Sequence, residues 1–378
     1  MKQRKIAVFG GSFHPVHNGH LALAKHAMDA LSLDSVLYVV DRIPPHKTLA
    51  EGATDAQRVD MLRLAVHDEP RFIVETMELN REGKSYTVDT LTELHRRDPD
   101  AEYFFLMGSD MLLSFQTWRK PNEIAKLCTL VCTVRTGQSG GEEAAAAELH
   151  ASLGANVILL DEVSPLSSTE IRTRISNALP LTGLVPPRVE HYVYRNGCYM
   201  PSELMPMYAR LNREISASRM EHTAYVMQTA IGLAARFGVD PYKARLAALL
   251  HDCCKNQPEA ELLRYADTVP PILPILHAPA GAEYARTVYG VTDADVLQAI
   301  RLHTIGDAGM TDLDKVVYLA DMIEPSRTYD GVDAIRAATD LNDMMRLALR
   351  RSIWYIKKKG GAIHPATERA LNELGGDI

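Results

Sequence analysis

The feature that most restricts this chain is a change of rhythm near residue 200. Before it, short β-branched or aromatic apolar runs at 6–9, 36–40, 72–74, 103–107, 129–134 and 157–160 alternate with helical patterns at 20–31, 55–67, 87–97 and 142–153. Strands separated by segments long enough for a crossover helix pair in parallel. The rhythm therefore predicts an α/β, Rossmann-like front domain with its ligand at the carboxyl ends of the strands. After it, strand-like runs stop. Segments 207–237, 241–254, 258–265, 281–289, 293–303, 313–322 and 340–359 all read as helices, which predicts an all-α helical bundle. The stretch 195–206, with Asn196-Gly197, Pro201 and Pro206, marks the junction, so the expected domains are 1–200 and 207–378. A chain of 378 residues is long enough for two cores.

Composition narrows the setting. Apolar residues at 46% and charged residues at 24% suit a soluble globular protein. No run approaches the roughly 20 apolar residues that a bilayer requires, so no membrane association is expected. The basic start gives way to Gly10-Gly11 after four apolar residues, too few for a secretory core, and reads as a first strand. The five cysteines fit neither a disulfide framework nor a zinc knuckle, which points to a reducing cytoplasm. A net charge of −7 argues against a nucleic-acid partner but not against small phosphorylated substrates. A homo-oligomer is left open.

Two constellations carry chemistry. The first strand runs into Gly10-Gly11-Ser12-Phe13-His14-Pro15-Val16-His17-Asn18-Gly19-His20. Glycines admit positive φ and a close backbone approach. His17 and His20 stand at the mouth of a helix, where free N–H groups and the helix dipole favour anions. Ser167 to Glu170 has the pattern of a capping box, and Arg172 one turn in makes a second anion clamp or a plain capped helix with a surface arginine.

The rear half holds five histidines, and His222, His251, His277 and His303 occupy suggestive places. His251-Asp252 closes a strongly apolar helical run, and Asp321 sits among Tyr318-Leu319-Ala320 and Met322-Ile323. A carboxylate in such company needs a cation or a metal. Imidazoles and carboxylates on separate helices can converge on divalent ions in a bundle core.

At these residues a resemblance becomes clear. The glycine-histidine string resembles the GGxFxPxHxGH signature of the nucleotidyltransferases, and Ser167–Arg172 resembles their SSTxIR motif. Pro44-Pro45-His46-Lys47, Ser85-Tyr86-Thr87 and Gly108-Ser109-Asp110 with Trp118 are similar to bacterial nicotinate-nucleotide adenylyltransferases. The resemblance implies that His17, His20, Lys47 and Arg172 act on the phosphates of ATP, carried with Mg²⁺. Gly10, Gly11, Ser12, Phe13, Gly19, Ser168 and Thr169 would bind ATP. His46, Thr87, Asp110 and Trp118 would bind nicotinate mononucleotide, the indole stacking on the pyridine ring. Family members often carry Asp where this chain has His14. A pantetheine-phosphate adenylyltransferase is the competing reading; Trp118 and 44–47 favour the pyridine nucleotide.

The rear strings Glu221-His222-Thr223, Leu250-His251-Asp252, His277-Ala278-Pro279, His303-Thr304-Ile305-Gly306 and Ala320-Asp321-Met322-Ile323-Glu324-Pro325-Ser326-Arg327 resemble the HD superfamily of metal-dependent phosphohydrolases. Within it they are similar to the YqeK-type symmetrical diadenosine-tetraphosphate hydrolases. By that resemblance His222, His251, Asp252 and Asp321 bind one divalent ion. Asp252 bridges to a second held by His277 and His303, iron being favoured and manganese the alternative. Asp252 and Lys255 would be catalytic, and Lys255 and Arg327 would hold phosphates of diadenosine tetraphosphate. The competing readings are another nucleotide phosphohydrolase or a nucleotide-sensing module without catalysis.

Overall fold

The computed structural model describes residues 3–44, 48–134, 141–161, 164–266 and 273–376. The chain divides into two compact units: Met1–Arg172 with Leu181–Val189, and Thr173–Pro180 with Glu190–Ile378.

The first unit is the α/β domain expected from the alternating rhythm. Its strands are β1 (Lys5–Gly11), β2 (Ser35–Val40), β3 (Phe72–Glu75), β4 (Glu102–Gly108), β5 (Thr129–Val134) and β6 (Val157–Asp161). All pairings are parallel, in the order β3-β2-β1-β4-β5-β6. The helices are α1 (Asn18–Leu31), α2 (Asp55–Val66), α3 (Thr87–Arg97), α4 (Ser109–Leu113), α5 (Pro121–Leu127) and α6 (Glu142–Leu153), with α7 (Ser168–Ser176) starting here. Strand order reverses direction between β1 and β4. Pairing of β1 with β4 ends at Phe9–Leu106, while Gly10 and Gly11 continue to pair with β2. The backbone therefore parts at a topological switch point, where α/β sheets bind ligands. Val8, Leu91, Phe105, Phe115 and Leu130 are among the core residues on one face of this sheet.

The second unit is helical: α8 (Pro187–Asn196), whose first turn lies in the other unit, then α9 (Met205–Glu214), α10 (Ala217–Phe237), α11 (Pro241–Leu250), α12 (Glu259–Tyr265), α13 (His277–Val288), α14 (Ala294–Leu302), α15 (Asp312–Ile323), α16 (Val332–Ala337), α17 (Leu341–Lys358) and α18 (Pro365–Glu373). Met227, Leu250, Ile300, Leu319, Met344 and Leu349 belong to its core. The single helix expected over 207–237 is two. Ser216 takes an extended conformation and its hydroxyl accepts the Arg219 N–H, so it caps α10 instead of continuing α9. The helix expected to reach residue 254 stops at Leu250, and His251 and Asp252 lie in the turn beyond it. The five cysteines are free and buried. No helix among the described residues is long and apolar enough to cross a membrane.

Candidate active sites

The front site grows from the end of β1. His17 is extended and opens α1, with His20 three residues on. The His17 backbone N–H donates to His20 Nδ1 at 3.2 Å. A ring nitrogen that accepts has no proton, so neutral His20 carries its proton on Nε2 and is a donor there. The two rings lie 3.7 Å apart between centroids. Burial pulls His17 down to about 4, so it is a neutral imidazole near pH 7. Gly19 makes room for it, since a Cβ there would come within 3.0 Å of His17 Nδ1. The positive φ in this loop falls on Phe13 (43°), so the glycines serve close approach and not a left-handed turn. Phe13 is buried edge-on against Phe9 and His20, which holds the strained backbone.

The start of α7 closes the loop. The Ser168 hydroxyl donates to the Pro15 carbonyl at 2.9 Å. Arg172 donates to the His14 carbonyl at 2.7 Å and to Thr169 Oγ at 3.0 Å. The Glu170 N–H donates to Ser167 Oγ at 3.1 Å, the cap expected from the sequence. A cavity of about 660 Å³ results, lined by Gly10, Gly11, Ser12, Phe13, His17, Gly19, His20, Ser168, Thr169 and Arg172. A second hollow of about 330 Å³ is lined by Thr87, Asp110 and Trp118 together with Asp41, Glu78 and Ser85. The two share Gly10, Gly11, Asp110 and Met111 as walls. Both volumes are in the range of small-molecule sites. His46 and Lys47 lie outside the described residues.

Sequence reasoning missed Arg58. It is fully buried on α2 and donates to the carbonyls of Ser12 (2.6 Å) and Asp41 (2.7 Å) and to the Asp55 carboxylate (2.8 Å), tying the phosphate loop to the end of β2. A signal existed: Arg58 shares a helical face with Met61 and Leu62, where a surface arginine does not belong. Glu78 was also missed. Burial pushes its carboxyl up, and the Thr90 hydroxyl donates to it at 2.5 Å.

The rear site draws six side chains from five elements. His222 comes from α10, His251 and Asp252 from the turn after α11, His277 from the start of α13, His303 from the end of α14 and Asp321 from α15. Their donor atoms form two groups, His222–His251–Asp321 and Asp252–His277–His303, each within 4.8 Å. Asp252 faces both. Its Oδ2 lies 3.5 Å from His251 Nε2, and its Oδ1 lies 3.3 Å from His277 Nε2 and 3.6 Å from His303 Nε2. Nδ1 of His251, His303 and His277 meets a backbone carbonyl, of Ala248 (2.7 Å), Ile300 (2.7 Å) and Pro274 (3.0 Å). A carbonyl only accepts, so these Nδ1 atoms carry the proton and Nε2 keeps its lone pair.

The buried atoms His251 Nε2, His303 Nε2 and Asp252 Oδ1 have no hydrogen-bond partner among the described residues. Each such group costs about 1–3 kcal/mol. Divalent cations satisfy them together, and a nitrogen-rich set with carboxylates is one for divalent transition metals. Burial alone would push the Asp252 carboxyl up, but the imidazoles of His251, His277 and His303 around it hold it well below the usual carboxylate range. Asp321 is held low in the same way, chiefly by His222, whose Nε2 is 3.0 Å away.

Arg327 lies 2.7 Å from Asp321, and Lys255 Nζ lies 2.9 Å from His277 Nε2 and 3.2 Å from its Nδ1, so both expected phosphate holders rest on side chains expected to hold metal. Arg219 and Glu324 were missed. Arg219, one turn before His222, lies 2.7 Å from Asp252 Oδ2, and buried Glu324 lies 3.3 Å from His222 Nδ1. The one-turn spacing from His222 was the signal for Arg219.

Comparison with known proteins bears on both halves. Residues 8–174 match the family model described as cytidylyltransferase-like, and residues 219–326 match the HD domain. A probable nicotinate-nucleotide adenylyltransferase of Synechococcus sp. (strain JA-3-3Ab) is 37% identical over 200 residues, 53% of this chain and 96% of that protein. One of Thermus thermophilus is 40% identical over 195 residues, 52% of this chain and 99% of that protein. A Mycoplasma pneumoniae protein named probable nicotinate-nucleotide adenylyltransferase/Ap4A hydrolase is 27% identical over 358 residues, 93% of this chain and 98% of its own length.

Proposed function

The chain belongs, through its front half, to the nicotinate-nucleotide adenylyltransferases and carries an HD domain behind it, and on that premise we propose a bifunctional enzyme. The front domain, 1–200, transfers AMP from ATP to nicotinate mononucleotide, forming nicotinic acid adenine dinucleotide for NAD biosynthesis. The rear domain, 207–378, hydrolyses diadenosine tetraphosphate symmetrically to two ADP. The observation that carries the pairing is the contrast of pockets: one rich in donors for polyphosphate, the other rich in buried acceptors for metal ions.

In the transferase the mononucleotide's 5′-phosphate attacks the α-phosphorus of Mg²⁺-bound ATP, and pyrophosphate leaves with the negative charge. His20 Nε2–H, Arg172 and the hydroxyls of Ser168 and Thr169 meet that charge, while Gly10 and Gly11 let the backbone approach the nucleotide. His17, Lys47 and His46 act beside the phosphates. Trp118, Thr87 and Asp110 frame the mononucleotide in the smaller hollow. Alignment and charge stabilisation do the work, and no covalent intermediate is required.

In the hydrolase His222, His251 and Asp321 would hold one divalent ion, and Asp252, His277 and His303 would hold a second. Two such ions supply Lewis acidity and a water acidified to near neutrality. Lys255, Arg219 and Arg327, which stand beside His277, Asp252 and Asp321, would hold the substrate's phosphates. Iron is the favoured metal and manganese the alternative. The protein works in the cytoplasm on small nucleotides.

Product analysis on the intact chain tests the reading. Nicotinate mononucleotide and ATP are expected to give the dinucleotide and pyrophosphate, and diadenosine tetraphosphate to give only ADP. Formation of AMP and ATP, or faster turnover of another nucleotide in a panel, overturns the rear assignment.

A further inference from the structure

The four histidines of the rear site are not secured alike. Nδ1 of His251, His277 and His303 donates to a backbone carbonyl three residues earlier. His222 Nδ1 instead faces a carboxylate, Glu324 Oε1, at 3.3 Å. Glu324 is buried and fixed: the Ser326 N–H and hydroxyl each donate to it at 2.6 Å, and Arg327 Nε lies 3.2 Å away. A carboxylate behind an imidazole draws on its proton and makes the far nitrogen the stronger metal donor.

The opposite holds at His277. Lys255 Nζ lies 2.9 Å from His277 Nε2, the atom that faces Asp252, and 3.2 Å from Nδ1, so its ammonium sits against the ring. An ammonium so close repels any cation that approaches His277 Nε2. Arg219 and Arg327 also rest on ligands, each 2.7 Å from a carboxylate oxygen of Asp252 or Asp321. A carboxylate offers about four lone-pair positions and can serve a guanidinium and a metal together.

We propose that the two pockets load unequally. The His222–His251–Asp321 pocket fills first because Glu324 strengthens His222, and the Asp252–His277–His303 pocket fills second because the Lys255 ammonium against His277 repels a cation there. Glu324 is a positioning residue, acting through His222. The inference rests on the metal reading of this site.

The test is a binding isotherm. Full-length protein stripped with a chelator is dialysed against increasing free Mn²⁺, and bound manganese is counted by elemental analysis. The wild type should bind in two steps separated by about tenfold or more in concentration. Glu324→Gln, which keeps shape and loses charge, should weaken the tighter step by about tenfold or more and leave the other in place. Lys255→Met should tighten the weaker step. His303→Ala should delete the weaker step alone, which keeps the test alive if the Glu324 variant misfolds. Two ions binding in one step, or a Glu324→Gln shift confined to the weaker step, overturns the inference while leaving the metal site standing. Folded wild-type protein that binds no manganese overturns the metal site itself.

Discussion

The two sites use the same residue and the same anchoring device with opposite polarity. In the front site a backbone N–H donates to His20 Nδ1, so Nε2 carries the proton and suits an anion. In the rear site backbone carbonyls accept from Nδ1 of His251, His277 and His303, so Nε2 keeps its lone pair and suits a cation. Which main-chain group meets the ring decides what the ring can hold. The front site joins one loop and the first turn of α1 to the first turn of α7, where Ser168 bonds Pro15 across 153 residues of sequence. The rear site collects six side chains from five elements between His222 and Asp321.

The sharpest way to break this comparison is Asp252→Ala. Losing the residue that faces both pockets should cost several kcal/mol of transition-state stabilisation, roughly a thousandfold in hydrolysis, with adenylyl transfer unchanged. Parallel loss of both activities would mean that the sites are not independent. His20→Ala is the converse: kcat for transfer should fall about a hundredfold or more, as when one preorganised donor is removed, with ADP formation unaffected.

Stability against pH sharpens the contrast further. Burial holds His17 near 4, whereas the unfolded chain takes a proton near 6.5. Between those values the unfolded state binds the proton and the folded state does not. The stability is therefore present in full above 6.5 and declines as pH drops toward 4, by on the order of 3 kcal/mol. His17→Asn should flatten that slope. The chain's two tryptophans allow the measurement: Trp354 is exposed, so Trp354→Phe leaves Trp118 as the sole fluorescent reporter of the front unit during denaturant unfolding. An identical acid slope in the Asn variant would count against the burial argument. The smallest effect expected is Trp118→Ala, an increase of about tenfold in KM for the mononucleotide, the value of one lost stacking partner. An unchanged KM would remove Trp118 from the smaller hollow's role.

What could be read in advance follows the range of the interactions. The parallel sheet was legible because each strand is a short contiguous run, and the anion loop because Gly10 to His20 is eleven neighbouring residues. The six rear donors were legible only as strings; their grouping into two triads depends on how α10, α11, α13, α14 and α15 pack. The Ser216 cap, by contrast, was one hydroxyl competing with a continuous helical pattern, and the pattern prevailed in the reading. Helices α4, α5, α8, α16 and α18 are short and gave no long periodic signal. Arg58, Arg219 and Glu324 were missed because a charged side chain reads as surface until the carbonyl, carboxylate or imidazole it meets is known.

The carbonyls behind His251, His277 and His303 belong to Ala248, Pro274 and Ile300, and every amino acid brings a carbonyl. Genetic drift at those three positions can change the side chain without touching the anchor. His222 has no such insurance: its support is a side chain, so one base change in the Glu324 codon can remove the group behind it.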